Sequence, residues 1–199
     1  SKLTRVRDAA IGGFLRYAEN GQGQRTNGGA GINVQATLNN LNRVNLDLSH
    51  FAARYDDRNS FGNGTFERDV ATNFSLRYRS DAAKSMSMFV EFRSNSEALG
   101  GRSYQYVAGI NWRPTYNVNL DFELEYRERK GWLLHQQDQS FSTFNSTELQ
   151  PKLSFDYFPS ARQHFRVVLQ WVGIRAREDE FYTLDPGSTR LRPVPKPSG

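Results

Sequence analysis

Residues 118–126 read Val-Asn-Leu-Asp-Phe-Glu-Leu-Glu-Tyr. Val118, Leu120, Phe122, Leu124 and Tyr126 alternate with Asn119, Asp121, Glu123 and Glu125. Successive side chains of a strand point to opposite faces, so this stretch predicts one β-strand with an apolar face and a charged face. The same period recurs on both sides of it.

Upstream, weak alternation at Ile11, Gly13, Leu15 and Tyr17 is followed by Ala30, Ile32, Val34, Ala36 and Leu38, and then by Val44, Leu46 and Leu48. At His50-Phe51 the alternation slips, which predicts a β-bulge. Val70 to Tyr78, Met86 to Phe92 and Tyr104 to Trp112 continue the pattern. Downstream come Leu149, Leu153, Phe155 and Tyr157, then Phe165, Val167, Leu169 and Trp171. That makes about nine runs, each near the ~9–11 residues with which a tilted strand crosses a bilayer.

The connections sort by length. Residues 39–43, 80–85, 113–117 and 158–162 are short and rich in turn formers, whereas 18–29, 56–69, 94–102 and 128–147 are longer and polar. In an up-and-down barrel, alternate connections emerge at opposite ends, and outer-membrane barrels place short turns inside and long loops outside. The expected fold is therefore all-β: an antiparallel up-and-down transmembrane β-barrel over residues 1–182, with 183–199 as a Pro-rich extracellular loop or tail whose end, 190–199, is unfit for a strand. The expected location is the bacterial outer membrane.

Aromatic residues at the ends of the runs fit two interfacial girdles. Tyr78, Trp112, Tyr116 and Tyr157 sit beside short turns; Tyr17, Phe92, Tyr104, Tyr126 and Trp171 sit toward long connections. If the apolar face meets lipid, Arg77, Arg93, Asp121, Glu123, Glu125, Lys152, Asp156 and Arg166 line the lumen. The opposite assignment, apolar face inward, would make a soluble lipocalin-like carrier.

Composition excludes several classes. The chain has 199 residues, 37% of them hydrophobic, with a mean hydropathy of −0.70. No stretch approaches the ~20 apolar residues of a spanning helix, while a barrel needs only every second residue apolar. The absence of cysteine rules out disulfides and Cys-based metal or nucleophile chemistry. The net charge of +5 arises from 26 basic and 21 acidic residues interleaved along the chain. That dispersal points away from nucleic acid as a partner. Residues 1–8 carry no apolar segment like that of a secretion signal. With an odd run count, this predicts a chain that is part of a larger barrel.

The segment 149–182, LQPKLSFDYFPSARQHFRVVLQWVGIRAREDEFY, resembles a family of large outer-membrane proteins of Gram-negative bacteria. FDYFPSARQ (155–163) and LQWVGIRA (169–176) carry the resemblance. Members join an N-terminal periplasmic domain, similar to carbohydrate-binding module family 9, to a C-terminal β-barrel of uncharacterised function. The resemblance implies an internal piece of such a barrel. It supplies no catalytic residues, and any saccharide binding would belong to a domain that this chain does not contain.

Motifs that could carry chemistry are weak. His50, His135 and His164 lack metal-ligand spacing, and His135 and His164 read as solvated, in a loop and at a turn. Asp121, Glu123 and Glu125 could form a cation-attracting wall, or could be neutralised by Arg and Lys of neighbouring strands. Their ~6.6 Å spacing would also suit a glycosidase pair, as would that of any acidic strand. The Gly-rich stretch 20–31 lacks the helix and Lys-Ser/Thr ending of a phosphate loop and reads as a flexible loop. Asn145-Ser146-Thr147 matches a glycosylation sequon, uninformative in a bacterial chain. No cofactor or metal is expected. The leading expectation is a transport, secretion or channel component. The alternative is a barrel enzyme with its site in the extracellular loops. Expected partners are outer-membrane lipid and lipopolysaccharide, envelope proteins or a saccharide substrate.

Overall fold

The computed structural model describes residues 5–196. Residues 1–4 of the leader reading and 197–199 of the tail reading lie outside them. The strands are β1 (Val6–Glu19), β2 (Arg25–Leu38), β3 (Arg43–Phe51), β4 (Arg54–Asp56), β5 (Phe66–Arg68), β6 (Ala71–Arg79), β7 (Met86–Ser96), β8 (Arg102–Thr115), β9 (Val118–Gln137), β10 (Ser140–Ser160), β11 (Gln163–Gln170), β12 (Gly173–Leu184) and β13 (Leu191–Val194). The main sheet runs β1-β2-β3-β6-β7-β8-β9-β10-β12-β13, with β11 also paired to β10; β4 and β5 form a separate hairpin.

β11 and β12 lie end to end along one edge of β10: Leu153 pairs with Leu169 and Leu149 with Gly173. Together they make one long stave, interrupted at Trp171-Val172. Each run read from the sequence thus becomes one stave of an antiparallel up-and-down sheet. The sheet is not closed: among the described residues, β1 pairs only with β2, β11 only with β10, and β12 carries β13 along just its last turnward residues, Phe181 to Leu184.

The polar face is the more buried one. Glu91, Gln105, Ser154 and Asp156 are buried, whereas Leu76, Val90, Ile110, Phe122 and Leu153 on the other face are exposed. Among the described residues, no second layer covers the main sheet beyond the small β4–β5 hairpin at one end. Unequal burial in a single layer requires curvature, so the sheet curls toward its polar face.

Four expectations need correction. The 128–147 connection is not a loop: β9 and β10 continue as a ladder to a two-residue turn, Asp138-Gln139, where Asp138 takes a left-handed φ of 47° that aspartate tolerates. This part of the ladder breaks the strict alternation, with Trp132, Leu133 and Leu134 consecutive and polar runs on either side, so it has no period-two pattern to read. The strict sorting into short and long connections weakens accordingly. No bulge occurs at His50-Phe51: Ala30↔His50 and Gly29↔Phe51 keep register. The alternation slips because Phe51 lies on the polar face, opposite a glycine. The Gly-rich stretch 20–31 is mostly strand, with a turn only at 20–24. Finally, the tail does hold a strand, β13, paired to β12 with Pro193 opposite Tyr182. A proline survives there because β13 is an edge strand, where one N–H can be spared.

Candidate functional site

All eight residues read as lumen-lining share the polar face, because the register keeps their parity from strand to strand: Arg77↔Glu91, Glu123↔Lys152, Asn119↔Asp156 and Asp156↔Arg166 are direct pairs. The charges are cross-linked. Glu91 sits between Arg93 (Nε–Oε1 2.5 Å) and Arg77 (Nε–Oε2 3.1 Å). The Arg77 contact is an ion pair whose angle falls outside hydrogen-bond geometry. Arg127 bridges Glu125 at 2.8 Å and Glu148 at 3.7 Å. Asp156 receives His164 Nε2 at 2.7 Å and Arg166 Nε at 3.5 Å. Asp121 accepts amide N–H groups from Asn111 and Asn119, both at 2.7 Å.

Of the acidic ladder at 121, 123 and 125, Glu125 is thus neutralised by arginine and Asp121 is satisfied by amides. The face is a mixed-charge, hydrogen-bonded surface suited to contact with water and polar solutes, not one of a single sign. His164 stacks on Phe158 at 4.4 Å in addition to its Asp156 contact. His135, expected in a loop, lies in β9.

Sequence reasoning missed a second feature of this face. Phe14, Phe51 and Phe89 are each paired directly with a glycine: Gly31, Gly29 and Gly109. A Cβ at those glycines would lie 2.5, 2.4 and 2.3 Å from the facing ring. The glycines therefore make room for aromatic rings to lie flat across the strands, a device that pins register in curved sheets. Arg77 and Arg79 then stack over the Phe89 ring, 5.2 and 5.6 Å from its centroid. The available signal was an apolar residue of the wrong parity facing a glycine in the next run. We predict that Gly31→Val destabilises the sheet by about 1–3 kcal/mol, as overpacking does. Its Cβ meets the Leu48 carbonyl oxygen at 2.9 Å as well as Phe14, so ring movement alone does not relieve it. Gly12→Ala on the neighbouring stave β1, with open space around it, is the control in urea unfolding.

The connection 52–70, which joins β3 to β6, crosses the end of the sheet opposite the short turns. Its β4–β5 hairpin places Phe66 edge-on against Phe141 of β10, with centroids 5.2 Å apart. Phe66, Phe141 and Leu184 form the buried apolar cluster, with Leu133, Tyr182 and Leu191 around it. Glu67 N–H donates to the Thr189 carbonyl at 2.8 Å, and Asp69 N–H to the Ala98 carbonyl at 2.9 Å. His135 accompanies this clasp, edge-on to Phe141 at 5.1 Å and 5.6 Å from Phe61.

Asp56 holds the hairpin's own turn. It accepts the backbone N–H groups of Arg58 and Asn59 at 3.1 and 2.9 Å, the Asn59 amide at 2.6 Å and Arg68 Nη1 at 3.2 Å. Burial pushes the Asp56 carboxyl up, but the Asn59 and Arg58 hydrogen bonds and the Arg68 charge outweigh it and hold it below its ordinary value. A carboxyl depressed on folding contributes stability that is complete above the unfolded value, ~3.9, and is lost as pH falls through the lower folded one. We predict that the hairpin stays protected from hydrogen exchange at neutral pH and loosens only below that range. Asp56→Asn should remove the pH dependence.

The fold and its polar face define a curled, antiparallel all-β sheet with an exposed apolar exterior. No protein family, no curated protein and no solved structure matches the chain.

Proposed function

We propose that this chain forms a wall of a transmembrane β-barrel in a bacterial outer membrane, its mixed-charge face lining a passage for polar solutes in transport or secretion. The supporting observation is the course of the apolar belt across the hydrogen-bond ladder. One ladder row runs Ile11↔Val34↔Leu46↔Leu76↔Phe92↔Tyr106↔Tyr126↔Leu149↔Gly173. On β1 the exposed apolar residues Ile11, Leu15 and Tyr17 lie on or beyond this row. On β11 the exposed apolar residues Phe165, Val167 and Leu169 all lie before it. The belt thus slides by about one residue per strand. With ~3.3 Å of rise per residue and ~4.8 Å between strands, that slope is about 35–40°. Strands of transmembrane barrels tilt by ~35–45°, so a belt level with the bilayer crosses their ladder at that angle.

A soluble carrier needs the apolar face enclosed, and here that face is exposed. Bilayers do not tolerate open sheet edges, so further strands complete the wall along β1 and β11–β12. The test is reconstitution into liposomes: insertion by flotation, then single-channel conductance. Failure to float with the vesicles overturns the membrane reading. Insertion without conductance or solute leakage overturns the passage.

A further inference from the structure

We infer that the outer face of β9, β10 and β12 holds a binding site for the phosphate groups of anionic lipid headgroups; this rests on the transmembrane reading above. Beyond the row Tyr106, Tyr126, Leu149 the next row is Tyr104, Glu128, Thr147, Arg175, and the one after pairs Arg102 with Lys130 and Asn145 with Arg177. Apolar, aromatic and basic side chains therefore succeed one another on one face, in the order in which a bilayer presents acyl chains, interface and headgroups.

Lys130, Asn145, Thr147, Arg175 and Arg177 line one shallow cavity of about 280 Å³. Two carboxylates are nearby, and both are engaged: Glu128 with Lys130 at 3.3 Å, and Asp179 with the Asn145 amide at 2.9 Å. Arg175 and Arg177 are exposed, and among the described residues neither guanidinium has an ion-pair or hydrogen-bond partner. Arg175 pairs with Thr147 and Arg177 with Asn145, and these side chains supply a hydroxyl and an amide beside the two guanidiniums. Two exposed guanidinium forks beside a neutral hydroxyl suit tetrahedral phosphate oxygens. Continuity with the aromatic belt assigns those phosphates to a lipid and not to a soluble anion.

The test uses the full chain in phosphatidylcholine nanodiscs with and without a bisphosphorylated glucosamine lipid, counting retained lipid by native mass spectrometry. Wild type should retain the phosphorylated lipid. The Arg175→Gln/Arg177→Gln double variant should lose about ten- to thirty-fold in affinity, at roughly one headgroup interaction per arginine. Arg162→Gln, at the opposite end, should match wild type. Equal retention by the double variant overturns the site. Displacement by inorganic phosphate at matched phosphoryl concentration assigns it to soluble anions and overturns the lipid source. Failure of wild type to float with vesicles marks instead the failure of the transmembrane reading, and the site falls with it.

Discussion

Phe122→Arg should lower the stability of the membrane-inserted state by about 2–4 kcal/mol, the cost of arginine at the midplane of a barrel's lipid face. Phe122 stands at the centre of the apolar run of β9, between Ile110 and Leu153 in the ladder. Its neighbour on the opposite face, Glu123, should accept Gln with little change. The contrast is diagnostic because Phe122 is 46% exposed in the isolated sheet. For a domain that works in water, a charge at so exposed a position would cost little; in lipid it cannot be hydrated. Urea titration of vesicle-folded protein reads the difference. Equal behaviour of Phe122→Arg and Glu123→Gln would remove the apolar belt as an argument for a bilayer.

Phe66→Ala should release the clasp, at a cost of about 3–5 kcal/mol to its local stability. Phe66 is 1% exposed, as is its partner Phe141, so truncation leaves a cavity in the main buried cluster. Hydrogen exchange across β4 and β5 should rise by several orders of magnitude, while β7 and β8, which contribute no residue to the cluster, stay protected. Unchanged exchange in the hairpin would mean that the backbone bonds from Glu67 and Asp69 hold it alone. If the clasp also obstructs the proposed passage, the variant's conductance in bilayers should exceed that of wild type.

The runs from Ile11 to Trp171 were legible because each has one face apolar and the other polar, a contrast that period-two reading detects. The polar-face residues Arg77, Arg93, Asp121, Glu123, Glu125, Lys152, Asp156 and Arg166 were legible for the same reason, since parity places them. Their partners were not. Glu91 meets Arg77 only because β6 and β7 pair in one register, and register is a property of neighbouring strands, invisible within any one of them. The basic cluster at Lys130, Arg175 and Arg177 is obscured twice: 128–147 reads as a loop, and the apolar runs end at Trp171, before β12 begins.

The sequence by itself determined the staves and which side of each is apolar, because burial contrast between faces is written into alternate residues. Tertiary structure alone decided where the staves stop, how the belt slants across them and what closes one end. Where the alternation fails, around Trp132-Leu133-Leu134, β9 and β10 continue by backbone hydrogen bonds, which leave no mark on side-chain choice. The clasp depends on Phe66 meeting Phe141 and Leu184, residues far apart along the chain that only the curl of the sheet brings into contact.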